Sequence, residues 1–289
     1  MLEFILVQGT ITGGMYALLA VGFSLIFGVA RIINVAHVSF YMLAAFLVYT
    51  FSSLLGLNPG LSIILVLLVT ILIGLGSYRF LIEPIREHET SVIIMTLAIA
   101  LIIQEAMRIA FGTDPLPVPY LIPGYVELLG IRVLYQQLLT LGIALVSLIV
   151  IWAMLTRSRL GIALRAIAQD KEIANLMGIN IPIICLLTMA IASGLAAVAG
   201  IIAAPLFTVN PFMWLHPLVM VLAIVILGGL GSFTGSFVGA FILGYAEMLV
   251  VFLLPGGTYL KGPIALLLML IILLVRPAGL FGVAFEEEM

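Results

Sequence analysis

The sequence predicts an all-α polytopic membrane protein, and three observations carry that reading. The 289-residue chain is 64% hydrophobic and 8% charged, whereas a soluble domain has about 45–50% apolar and about 25% charged residues. Its mean hydropathy is +1.38. The apolar residues fall into runs of roughly 20, the length a helix needs to cross a hydrocarbon core, with Gly, Pro and charge between them. A chain of this size cannot hide such an excess in a core, so lipid must be the solvent for most of its surface.

Taken in order, about nine segments qualify: near 4–30, 36–55, 61–82, 91–111, 136–156, 181–203, 213–229, 236–254 and 262–276. The first has no positive leader. Its first charge is Glu3 and its first base Arg31, so it reads as a retained helix and not as a cleaved signal peptide. The gaps carry turn signals: "LNPG" at 57–60, "EPIREHET" at 83–90, "TDPLPVPYLIPG" at 113–124 and "LPGGTYLKGP" at 254–263. Residues 1–289 read as a single transmembrane domain.

Short cytoplasmic loops retain Lys and Arg. With 157–180 inside, Arg31, Arg79, Arg86, Arg157, Arg159, Arg165, Lys171 and Arg276 all fall inside. Arg108, Arg132 and Lys261 fall outside, eight against three of the 11 bases. The N-terminus is then external and the C-terminal "FEEEM" cytoplasmic.

Several functions lack their residues. A net charge of -2 with scattered bases offers nothing to nucleic acid. The single cysteine, Cys185, lies in an apolar run and reads as a core thiol. No G-x-x-x-x-G-K-[ST] cradles a nucleotide, no Cys/His cluster has metal-ligand spacing, and no Ser/His/acid grouping suggests hydrolysis. No cofactor and no catalytic or metal site is expected in this chain.

One short span holds much of the charge. In "RLGIALRAIAQDKEIANLMGIN" (159–180), Arg159, Arg165, Asp170, Lys171 and Glu172 crowd together, with Arg157 just before. This is the longest cytoplasmic loop, 157–180, and it has the marks of local structure. Asp170 is placed to cap "KEIANLM" by accepting from backbone N–H groups, and Gly178 to end that helix in the left-handed region. An ordinary solvated loop and a partner-docking helix both fit this pattern.

Two further regions interrupt the apolar background. "RIINVAHVSFYMLAAF" carries Asn34, His37, Ser39 and Tyr41; "GGLGSFTGSFVGAFILG" carries Gly228, Gly229, Gly231, Ser232, Thr234, Gly235, Gly239 and Gly244. Gly231, Gly235 and Gly239 recur every four residues, as one smooth helix face would require. Gly228 to Gly231 marks a break or re-entrant turn. "SFYMLAAF" (39–46) echoes "TGSFVGAF" (234–241), which points to two inverted repeats with re-entrant or broken helices and a pathway flanked by both segments. Packing alone accounts equally well for the glycines. A hydrogen-bonded structural role for His37 stands beside a substrate or proton role. Among the acids, Glu105 has Arg108 three residues on as a local partner. Glu247 has no partner evident in sequence, and a position facing an oligomer interior is expected of it.

Four blocks, in order, resemble the permeases of branched-chain amino-acid ABC transporters (the LivH type): "YALLAVGFSLIFGVARIINVAHVSFYMLAAF" (16–46), "GIALRAIAQDKEIANLMGIN" (161–180), "LGGLGSFTGSFVGAFILG" (227–244) and "VRPAGLFG" (275–282). The family usually has Gly after the His of its A-H-G, where this chain has Val38. "EIANLMG" is similar to the E-A-A-x-x-x-G loop that seats importer permeases on their ATPases; Glu172, Ala174 and Gly178 match and Ile173 departs. The resemblance implies a non-enzymatic permease subunit in the cell inner (plasma) membrane. Its partners would be ATP-binding cassette subunits carrying ATP-Mg, a second homologous permease chain and an extracytoplasmic solute-binding protein. Arg165, Gln169, Asp170, Glu172, Ala174 and Gly178 would couple to the ATPase. Related permeases carry urea or short-chain amides, which is the alternative solute class. A self-sufficient channel or secondary carrier is the alternative mechanism, but it has no use for a capped cytoplasmic helix.

Overall fold

The computed structural model describes residues 2–128, 130–276 and 278–281; the "FEEEM" tail lies outside the described residues. Helix α1 (Leu2–Ala30) is apolar or small on every side, the pattern of a helix buried all round. It is the central column, with α5 (Tyr135–Arg157), α8 (Ile181–Ala203), α9 (Leu215–Gly228) and α10 (Phe233–Leu253) packed about it. Helices α2 (Ala36–Val48), α3 (Pro59–Ser77) and α4 (Glu89–Phe111) pack on the α8 side, and α11 (Gly257–Val275) lies outside α9 and α10. A wider π-turn extends α2 over Tyr49–Leu54, and another extends α3 over Tyr78–Ile82. Strands β1 (Tyr125–Leu128) and β2 (Ile131–Leu134) form an antiparallel hairpin before α5. Helices α6 (Arg159–Gln169) and α7 (Lys171–Leu176) occupy the charged loop.

Among the described residues, eight helices are long and apolar enough to cross a bilayer. The ninth expected span is α9, whose 14 residues cover about 21 Å, less than the roughly 30 Å hydrocarbon core. Residues 204–214 supply the missing depth as irregular backbone, with Ala204, Val209 and Trp214 buried. Residues 31–35 do the same before α2, with Ile32, Asn34 and Val35 buried. Both segments return the chain toward the middle of α1. His37, second residue of α2, reaches the Leu19 carbonyl at 3.0 Å; His216, second residue of α9, lies 3.4 Å from the Tyr16 hydroxyl.

The packing pattern recurs in the two halves of the chain. A long helix, an irregular, partly buried segment and a short helix recur as α1/31–35/α2 and α8/204–214/α9. Helix α1 packs on α10 and α9 as α8 packs on α3 and α2, and the α2–α4 contact is matched by α9–α11. This pairs α2 with α9. The sequence echo of 39–46 with 234–241 pairs α2 with α10 instead, so its register is corrected: a run of small residues and Phe suits any crowded helix face.

The glycine-rich region is likewise sharper than its spacing suggested. Gly229 and Gly231 have φ of 100° and 80° and form a tight turn between α9 and α10, not a re-entrant loop. Gly231 is therefore off the helix face on which its four-residue spacing placed it. On α10, Ser232 caps by accepting from the Gly235 N–H at 3.0 Å. Gly235 meets Gly228 backbone to backbone, so that a Cβ on either would strike the other's main chain. Helix α11 starts five residues before the expected 262, because Gly256, at φ 75°, turns the chain back immediately.

Two outcomes follow for stability. Gly235→Leu overpacks a backbone contact and should lower stability by about 1–3 kcal/mol, whereas Gly142→Leu, with open space around it, should leave thermal stability and monodisperse yield unchanged. Gln104 accepts from the buried Trp214 indole N–H, so Gln104→Leu strands that donor and should cost about 1–3 kcal/mol, read as a lower melting temperature in detergent.

Candidate functional site

The charged loop at 157–180 is more structured than its length required. Ser158 caps α6 by accepting from the Gly161 N–H at 3.0 Å, and the buried Leu164 and Ile167 hold that helix to the bundle. The Asp170 carboxylate accepts from the Ile173 N–H at 2.9 Å, capping α7 as its position predicts. Gly178, at φ 83°, closes the far end, where the N–H groups of Met177, Gly178 and Ile179 return to carbonyls of α7. Ala174 is the buried anchor of the short helix.

Its outer surface is unexpectedly apolar. Leu176 and Met177 are 84% and 79% exposed, with Ile173 beside them and Glu172 also exposed. The spacing i, i+3, i+4 puts these three apolar side chains on one face. The spacing is present in "KEIANLM" itself. Arg165 and Gln169 are exposed on α6. Arg165 makes no ion pair with Asp170 among the described residues, so it does not brace the cap.

The candidate pathway residues of the first segment are placed in the interior. Asn34, His37 and Ser39 are fully buried and Tyr41 nearly so. Asn34 Nδ2 faces Met189 Sδ at 3.5 Å, and the Ser39 hydroxyl donates to the Ala36 carbonyl at 2.7 Å. His37 Nε2 donates to the Leu19 carbonyl, while its Nδ1 and Asn34 Oδ1 are buried without a protein partner. Gly228 and Gly229 are buried, Ser232 partly buried and Thr234 exposed. Gly231 lies against Gly28 of α1. Helix α1 thus stands between the two groups, the first packed against protein throughout and the second only in part.

A further polar site escaped the sequence. Glu247 has partners after all: its Oε2 accepts from the Tyr16 hydroxyl at 2.8 Å, and its Oε1 pairs with Lys261 Nζ at 2.9 Å. His216 stands behind Tyr16. Glu247 therefore faces the interior of its own chain, and Lys261, read as an outer-loop base, reaches inward from the second turn of α11. No local spacing signals this site, because its residues come from four helices. The expected Glu105–Arg108 pair forms at 2.6 Å, on an exposed face.

This arrangement has known counterparts. The family model described as the branched-chain amino acid transport system / permease component matches residues 5–273. The high-affinity branched-chain amino acid transport system permease protein BraD of Pseudomonas aeruginosa is 30% identical, over 96% of this chain and 94% of its own. LivH of Escherichia coli, a permease protein described in the same terms, is 27% identical over 95% and 94%. Among solved structures, PsaBC from Streptococcus pneumoniae in complex with Fab shares the fold, with a TM-score of 0.51 over 95% of this chain and 92% of that chain at 15% identity. The polytopic helical architecture and a match along almost the whole chain lead to one conclusion: this protein belongs to the branched-chain amino acid transport system permease family.

Proposed function

We propose that this chain is the membrane-spanning permease subunit of an ATP-driven importer, passing branched-chain or other neutral amino acids handed over by an extracytoplasmic solute-binding protein. The chain itself carries no chemistry; ATP-Mg is bound and hydrolysed on partner cassette subunits. The observation that carries this reading is the capped α7, with Ile173, Leu176 and Met177 turned to solvent. A helix of two turns is marginal in water by itself, and an apolar face held out beside a membrane is a surface shaped for a partner's groove.

In this reading the chain lies in the inner (plasma) membrane with its N-terminus outside and its C-terminus inside, as the basic residues favour. Nucleotide-driven closure of the ATPases pushes on α6 and α7, to which Gln169, Asp170, Glu172, Ala174 and Gly178 give shape and Arg165 an exposed charge. Both helices are joined covalently to α5 and α8, which contact the central α1. The push therefore tilts one repeat against the other about α1. Asn34, His37, Ser39 and Tyr41, together with the 228–235 turn, flank the path from within the bundle and come to it as α1 moves against α2 and α10. A second permease chain completes the pathway by covering α11, only 6% of whose span is buried within this chain.

Extraction in mild detergent and mass spectrometry of what accompanies the tagged chain is the direct test. Cassette ATPases and a second permease should co-purify; a chain that comes out alone shifts the reading to a self-sufficient channel. Within the complex, Glu172→Arg with Gly178→Asp should insert normally yet abolish uptake. Leu176→Ala should weaken ATPase retention by about tenfold or more, as loss of a central apolar anchor does. Normal uptake by the double variant would remove the coupling role of α7.

A further inference from the structure

We propose that Glu247 and Lys261 form a site for the zwitterionic head of an α-amino acid, the carboxylate of Glu247 receiving the solute's ammonium and Lys261 its carboxylate. The inference rests on the importer reading and names the side chains that meet the solute on its way in.

A free amino acid carries two opposite charges that water solvates well and a low-dielectric interior does not. Moving it through a bundle of apolar helices is costly unless each charge keeps a partner. Glu247 and Lys261 are already such a pair, 2.9 Å apart. A zwitterion inserted between them turns one ion pair into two, with no charge stranded and no net charge added. The site offers one anion and one cation, so a side chain bearing a third charge would find no counterion there. Its natural ligand is an amino acid with an uncharged side chain.

The two members are held differently, which suits a pair that opens. Glu247 is fixed: 3% of its side chain is exposed, and the Tyr16 hydroxyl holds its second oxygen at 2.8 Å, with His216 behind the tyrosine. When Lys261 leaves, the carboxylate therefore keeps its direction and one of its hydrogen bonds. Lys261 is the movable partner, with 27% of its side chain exposed on a flexible four-carbon stem. It sits near the start of α11, just after the left-handed Gly256 and two residues before Pro263. A proline inside a helix lacks the N–H of that turn and crowds the carbonyl four residues back, so this end of α11 yields most easily. The other ion pairs of the described residues, Arg79–Glu83, Arg108–Glu105 and Arg132–Glu127, all hold their bases in exposed positions. The buried pair is also unlike a surface contact in drawing α1, α9, α10 and α11 into one network.

The alternative is a plain staple between α10 and α11, and two measurements on the intact complex separate them. The first compares wild type with Glu247→Gln/Lys261→Met, a neutral pair of similar shape, in liposomes with the binding protein, radiolabelled leucine and ATP. The variant should assemble and hydrolyse ATP as wild type does but import leucine at least about tenfold more slowly, as a site loses its discrimination when its polar partners are removed. Wild-type import by the assembled variant overturns the proposal.

The second keeps the proposal testable if the variant does not assemble. The chain has two lysines, Lys171 and Lys261, so acylation of wild type by an acetyl N-hydroxysuccinimide ester, read by mass spectrometry, reports on Lys261 with Lys171 as internal control. Leucine should change Lys261 labelling at least about threefold, whereas leucinol, which lacks the carboxylate, should not. Labelling indifferent to leucine, or equally altered by leucinol, overturns the site. Failure of the importer reading is distinct: the wild-type complex itself would then import no neutral amino acid.

Discussion

Water is absent from the interior of a bilayer, so every backbone N–H and C=O that leaves a helix there must find its partner within the protein. This chain leaves the helix twice at depth, at 31–35 and 204–214, and much of the architecture answers that demand. A single face of α4 serves both breaks. Thr96 accepts from the Val35 N–H at 3.3 Å, and two turns further on Gln104 accepts from the Trp214 indole at 2.8 Å. Residues 204–214 are also tied to the segment after α4 by the paired hydrogen bonds of Leu116 and Val209. The breaks are possible because protein covers their inner sides, and α1 is long and apolar on all sides because it forms the inner wall.

The same constraint explains the small residues. Gly228 against Gly235, and Gly13 against Gly244, bring main chains together where a side chain would hold them apart. In lipid, where apolar surface gains nothing by being buried against other apolar surface, such close contact supplies the association.

The charged groups fall into two kinds, each with its own logic. At the exposed 157–180 loop charge is cheap because water is near, and Asp170 uses it to cap the short helix α7. Inside the bundle charge is costly, so Glu247 is found only with Tyr16 and Lys261 at hydrogen-bond distance. In the proposed roles, the first arrangement meets a protein partner and the second a solute.

Length and composition determined the solvent, the helical class, about nine membrane segments and the position of the structured loop. Each is set by local properties: the thickness of a bilayer, the preference of Asp for an N-cap, the freedom of glycine at positive φ. The cap at Asp170 and the C-terminal Gly178 were legible because donor and acceptor lie within three residues of one another. What tertiary structure alone decided is whatever joins distant parts of the chain. The echo of 39–46 with 234–241 was misleading because repeats separated this far share a packing plan and not a residue pattern. The ninth span proved short because its depth is completed by irregular backbone, which hydropathy does not distinguish from helix. Tyr16, His216, Glu247 and Lys261 lie up to 245 positions apart in a chain of 289. A pair that exists only when four helices close around it leaves no trace in any single one of them.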